Sequence, residues 1–138
     1  MARVHRWTKP AVGSLKVNWD AAVQTRIGRI GIGVLIRDHQ GLVIGNWCKA
    51  LLFGGDSKQV VDQMNQDSPN WSIGGCLISD AKTVLNSAVV WSISHVYREA
   101  NMVAHRLAQA AFECIEDMYD IEICPYCILY VVTKEMSQ

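Results

Sequence analysis

The sequence predicts a single α/β domain built on a mixed sheet, and three observations carry that expectation. Two runs near the amino terminus alternate in polarity with period two, the spacing of strands. Beyond Asp56 the apolar residues recur every three or four positions, the spacing of helices. The segments follow the order strands, helices, strand, helix, which belongs to mixed α/β or α+β architectures. The chain has 138 residues, 50% hydrophobic and 19% charged, a globular composition of single-domain size. One domain is therefore expected over 1–138, with its core in 7–113 and a carboxyl-terminal tail in 114–138.

Trp7 to Gly13 contains Pro10 and reads as an irregular lead-in. In Lys16 to Ala22, Val17, Trp19 and Ala21 share one face of a strand, and Lys16, Asn18 and Asp20 the other. Ile30 to Arg37 is a second strand, with glycines where another backbone can approach closely. Asp38 to Gly41 supplies turn residues, and Leu42 to Cys48 completes a three-stranded meander. Leu51 to Phe53 is a short apolar run ending at Gly54 and Gly55. Val60, Val61 and Met64 place a helix over Ser57 to Gln66, closed by Asp67 to Asn70. Leu77, Ile78, Ala81, Val84 and Leu85 form the stripe of a second helix over Gly75 to Ser87. Ala88 to Val96 reads as a strand and Asn101 to Asp117 as a helix. Ile128 to Val132 is a strand-like apolar run.

The charge balance narrows the function classes. Thirteen basic side chains oppose thirteen acidic ones, which excludes a dedicated DNA coater, whose domain pI exceeds about 9, but permits a local basic patch. No apolar run reaches the roughly 18 residues that span a bilayer, so no membrane partner is expected. No apolar stretch follows the basic residues of the amino terminus. Cys48, Cys76, Cys114, Cys124 and Cys127 are scattered. Reduced thiols in a nuclear or cytoplasmic setting are expected from both features.

Three groups of residues could carry chemistry. Asp20 sits inside a half-buried strand and Asp56 at a helix start; neighbouring strands would bring both carboxylates to one hard cation. Their bland readings are a solvated strand residue and a helix cap. His95 ends a strand, and Asn101, His105 and Gln109 follow at four-residue spacing on one helix face. That face could equally be solvent. Cys124-Pro125-Tyr126-Cys127 has the dithiol spacing of glutaredoxins, but that chemistry needs a helix amino terminus behind the first thiol, and a strand-like run follows here. Only one cysteine pair has zinc-ligand spacing, so no tetrahedral zinc site closes, and no small-molecule cofactor is expected.

Several stretches, in order, resemble one family. Trp7-x-x-Pro10-x-x-Gly13-x-x-Lys16-x-Asn18-x-Asp20-x-Ala22 is similar to the opening of plant ribonuclease H-like domains related to retroelement reverse transcriptases. Gly31-x-Gly33-Val34-Leu35-Ile36-Arg37-Asp38-x-x-Gly41 resembles their second strand and turn. Gly55-Asp56-Ser57-x-x-Val60-Val61 resembles their central-strand acid and the helix after it. His95-Val96-x-Arg98-Glu99-x-Asn101-x-Val103-Ala104-His105-x-Leu107-Ala108 resembles their last strand and helix. Ile121 to Val132, with Pro125, looks like their usual ending.

The resemblance implies a ribonuclease H-like fold with sheet order 3-2-1-4-5 and hydrolysis of the RNA strand of an RNA–DNA hybrid. In such enzymes carboxylates hold two magnesium ions about 4 Å apart. Carried over by motif, Asp20 and Asp56 are the first and third metal carboxylates. His95 falls near the mobile histidine that assists product release or water activation. His105 takes the place of the fourth carboxylate. Lys58, Arg98, Asn101 and Arg106 are candidate nucleic-acid contacts in the same groove, on the reading that the domain binds without cleaving.

Two departures qualify the implication. Between Lys49 and Asp56 the family carries an Ala-Glu-Ala helix with the second carboxylate, and roughly 20 residues fewer are present here, beyond ordinary connection-length variation. No glutamate lies between Asp38 and Asp56, and His105 replaces an aspartate, an exchange that the resemblance to plant members of the family accommodates. Imidazole is a poor magnesium ligand and a better one for manganese or zinc. Weak Mg2+ or Mn2+ binding, with manganese preferred, and slow or absent cleavage are expected. The alternative is a catalytically inactive nucleic-acid-binding relic or a truncated isoform. The fold is expected to be incomplete around the first helix and the fourth strand, because six residues are short for a crossing over two strand spacings of about 4.8 Å each.

Overall fold

The computed structural model describes residues 5–43, 50–67, 73–88, 90–114, 124 and 126–138. The alternating run near the amino terminus forms β1, Ser14–Gln24, longer at both ends than its sequence pattern. A one-turn 3-10 helix at Thr25–Ile27 and Gly28, at φ 62°, reverse the chain into β2, Arg29–Arg37. β2 pairs antiparallel with β1, Lys16 facing Arg37 and Gln24 facing Arg29. Beyond β2, Asp38 Oδ1 accepts hydrogen bonds from the backbone of Gln40 and Leu42, each 2.9 Å. That Asx turn sets an antiparallel bridge between Arg37 and Val43. The rest of the expected third strand, residues 44–48, lies outside the described residues.

Ala50–Gly55 is a full six-residue strand, β3, where the sequence suggests a stub. It pairs in parallel with β1 on one side and with β4, Val90–His95, on the other. The described sheet runs β2-β1-β3-β4. With β3 and β4 as fourth and fifth strands, that is the expected order as far as the described residues reach. The expected incompleteness at the fourth strand is therefore corrected. Pairing on both edges satisfies its backbone groups despite the short lead-in.

Helices cover opposite faces of this sheet. α1, Lys58–Asn65, and α2, Ile73–Ala88, lie on one face. Val61, Met64 and Ile93 are buried there, with Trp19, Phe53, Ile78, Leu85 and Trp91 packed around them. α3, Met102–Ala110, crosses the other face over β1 and β2 and ends earlier than its apolar stripe suggests, in a 3-10 turn at Ala111–Glu113. Glycine permits this close crossing: a Cβ at Gly33 would lie 2.4 Å from the Ala104 carbonyl oxygen, and one at Gly31 2.1 Å from that of Ala108. The chain ends in α4, Leu129–Met136, preceded by a 3-10 turn at Tyr126–Ile128. The strand-like reading of Ile128 to Val132 is thus overturned. Ile128 and Val132 join Leu35 and Val103 in one buried cluster, and tertiary burial outweighs the weak helix propensity of β-branched residues.

Polarity on β1 also differs from the surface pattern. Asn18 and Asp20 point under α3 and are buried, whereas Ala21 and Val23, on the nominally apolar face, are exposed. Their neighbours Ile30, Ile32 and Val34 on β2 are 67%, 68% and 51% exposed. Among the described residues no helix covers this end of the sheet. None of the described helices is long and apolar enough to cross a membrane.

Candidate functional site

A buried polar network positions the site. Trp7 Nε1 donates to Asn18 Oδ1 at 3.0 Å, and Asn18 Nδ2 donates to Asn101 Oδ1 at 3.1 Å. Asn101 Nδ2 in turn donates to the Trp19 carbonyl at 3.0 Å. The lead-in, β1 and the start of α3 are thereby locked together through hydrogen-bonded side chains, the condition on which buried polar groups are tolerated. Arg37, 1% exposed, stacks on Trp7 with its guanidinium carbon 3.7 Å from the ring centroid, and pairs with Glu135 of α4. Burial pulls the Arg37 pKa down and the Glu135 carboxylate pushes it back up.

Above this network two acids emerge side by side. The parallel β1–β3 ladder ends with Trp19 opposite Gly55, so Asp20 and Asp56 are the next residues on the two neighbouring chains. Asp20 faces Gly33 across the β1–β2 ladder. Because α3 settles on that glycine, His105 reaches Asp20: its Nδ1 lies 2.9 Å from Asp20 Oδ2. A carboxylate accepts only, so Nδ1 carries the hydrogen donated to Asp20, and Nε2 is the ring's other nitrogen. Arg98 Nη1 is 3.4 Å from that Nε2. Arg98 Nε donates to Asp56 Oδ2. The four side chains form one line, Asp20–His105–Arg98–Asp56. Asp56 first, with Asp20 and Glu99 adding, raises the Arg98 pKa above the ordinary arginine value.

The remaining expected residues are dispersed. His95 lies opposite Gly55 in the β3–β4 ladder, one position from Asp56 in register, but its ring meets the edge of Tyr97 at 5.3 Å. Tyr97 also stacks on His5 at 3.8 Å. Arg106 is exposed on α3, and Lys58 is exposed on α1 beside Asp62 at 2.9 Å. Asn101 is 1% exposed, with its amide committed to Asn18 and Trp19. That burial leaves it no surface for a bound duplex, and its part is to hold β1 against α3. Spacing puts Asn101 on a polar face with His105, but as the residue before α3 it turns inward. Sequence reasoning also misses Arg98 as the partner of Asp56, and Glu135 as that of Arg37. Asn18 and Asn101 inside or beside regular elements are the available signal, since buried asparagines require partners.

Comparison with known proteins bears on the fold that carries these residues. A family model described as reverse transcriptase-like matches residues 44–111. Ribonuclease H1 of the halophilic archaeon Halobacterium salinarum superposes with a TM-score of 0.60 at 19% identity, over 73% of this chain and 98% of that one. The chain folds as a ribonuclease H-like domain. The ribonuclease H1 known as LC11, isolated from compost by a metagenomic approach, gives 0.62 at 18% identity, over 74% of this chain and 97% of the other. The amino-terminal RNase H domain of a Mycobacterium tuberculosis protein gives 0.57 at 18%, over 71% and 98%. No curated protein matches.

Ribonucleases H generally depend on divalent metal, and the donor chemistry of this ribonuclease H-like domain can be tested against that need. Two hard ions require many oxygen ligands and an excess of negative charge. Here one carboxylate is paired with a guanidinium and the other with an imidazole. Among the described residues no three His, Cys, Asp or Glu side chains converge to hold an ion. This donor set does not fit a two-magnesium centre.

The dithiol motif stands apart from the site. A helical segment does follow Cys124, contrary to expectation. Burial, and then Cys127, pushes the Cys124 thiol pKa up rather than down. A reactive low-pKa thiol of the glutaredoxin kind is therefore not what this environment makes of Cys124.

Proposed function

We propose that this ribonuclease H-like domain binds RNA–DNA hybrids across the end of the parallel β1–β3 ladder, with cleavage of the RNA strand much reduced. The observation that carries the reading is the Asp20–His105–Arg98–Asp56 line beside that ladder end. By the motif resemblance, the two aspartates stand where the family has metal carboxylates. The charge of Asp56 is offset by Arg98 within the protein, which weakens hold on magnesium and favours retained binding over turnover. The Arg98 side chain is half exposed, and Arg106 and Lys58 are exposed as well, so phosphates of a duplex find donors on these elements. Discrimination of RNA from DNA would rest on 2′-hydroxyl contacts and duplex shape.

The test is cleavage of a labelled hybrid by the folded protein in magnesium and, separately, in manganese, beside Asp20→Asn. We expect cleavage to be slow or absent, any cleavage to be faster in manganese, and Asp20→Asn to abolish it. Cleavage that survives Asp20→Asn unchanged would remove the site from this position.

A further inference from the structure

We propose that Arg98 is the resident cation of this cleft and holds divalent ions off Asp56. The pair is built rather than incidental. The backbone N–H of Val96 donates to the Gly55 carbonyl at 3.0 Å, clipping the segment after β4 to the residue before Asp56. Ala100 N donates to the Tyr97 carbonyl and Asn101 N to that of Arg98, both at 2.9 Å, closing a 3-10 turn around Arg98. Asn101, the next anchor, is fixed in the buried network. The Arg98 backbone is therefore held on both sides within reach of Asp56. Its side chain is 53% exposed while the Asp56 side chain is 13% exposed, so the guanidinium lies on the solvent side of the carboxylate.

Charge and donor geometry follow. Two carboxylates and one guanidinium leave the line with one net negative charge when His105 is neutral. A divalent ion approaching Asp56 must displace a fork of N–H donors that also touches the His105 ring. It then gains a carboxylate oxygen but sits beside the released positive charge. A metal ion and Arg98 thus compete for one oxygen pair, and hybrid binding here needs no divalent ion. This extends the proposed function but is measured without nucleic acid, so either can fail alone.

The experiment is titration of the protein with Mn2+, followed by electron paramagnetic resonance of the free ion. Arg98→Gln is expected to bind Mn2+ about fivefold tighter than the wild type or more, the factor set by the strength of a partly exposed ion pair. Arg26→Gln removes one exposed positive charge outside the site and should leave affinity unchanged. Adding Asp56→Asn to Arg98→Gln should cancel the gain. Equal affinity of Arg98→Gln and wild type, or an equal gain from Arg26→Gln, overturns the proposal. A second measurement uses the wild type alone: the Arg98 Nε–H resonance should shift or vanish as Mg2+ is added. A resonance that stays in place while Mg2+ perturbs the Asp56 amide overturns it as well.

Discussion

Single side chains decide how this chain is held together, and most of those that do so are polar. Arg37 meets Trp7, Asn18 and Glu135 in an interior where an unpaired charge is costly. Removing one partner strands the other, so Glu135→Ala should lower unfolding free energy by about 3–5 kcal/mol. Replacing both, as Arg37→Met with Glu135→Leu, should cost less than either single change, because no buried charge remains. Chemical denaturation of the three variants checks this; a double variant weaker than both singles would contradict it. None of this is legible in the sequence as an interaction. Trp7, Asn18, Arg37 and Asn101 stand out there only as motif letters, since period-two and helical patterns register apolar residues and pass over buried polar ones. Asp20, Asp56 and His105 are legible as members of a site, but Asp56's partner Arg98 is not, because their pairing joins residues 42 positions apart.

At the scale of elements, legibility follows the strength of periodicity. β1, β2, α1, α2 and α3 lie where alternation or helical spacing puts them, with ends shifted by a few residues or, in α3, by more. β3 is underestimated by its sequence because a six-residue segment says nothing about its neighbours, and both of its ladders are long-range. α4 reads as a strand because its β-branched start resembles one, and only its burial against Leu35 and Val103 settles it. Gly31 and Gly33 read as points of close backbone approach, which they are. The mechanical consequence is direct. Gly33→Ala would drive a methyl group into backbone atoms of α3, at 2.4 Å from the Ala104 carbonyl oxygen and 2.5 Å from the Ala108 nitrogen. It should cost about 1–3 kcal/mol, the range for overpacking. Ile32→Ala on the exposed face, one residue away, should stay within about 0.5 kcal/mol. Thermal melts of the two variants compare them directly, and equal losses would mean that α3 does not rest on Gly33.

The whole molecule joins a fold legible in its sequence to a site whose charge is not. The sheet order and the two helical layers are those of a ribonuclease H-like domain. What the sequence hides is the charge balance, where the Arg98 guanidinium meets the Asp56 carboxylate. On β2, Ile30, Ile32 and Val34 form an exposed apolar stretch. A net charge of +0 means that affinity for nucleic acid must come from local groups such as Arg98, Arg106 and Lys58. The central claim is that this cleft binds an RNA–DNA hybrid, and fluorescence anisotropy with a labelled hybrid in EDTA tests it most directly. Binding should exceed that of a DNA duplex of the same sequence. Arg98→Gln with Arg106→Gln should weaken it and flatten the slope of log affinity against log salt by about 1 for each phosphate no longer neutralised. Equal affinity for both duplexes, or an unchanged slope in the double variant, would contradict the account.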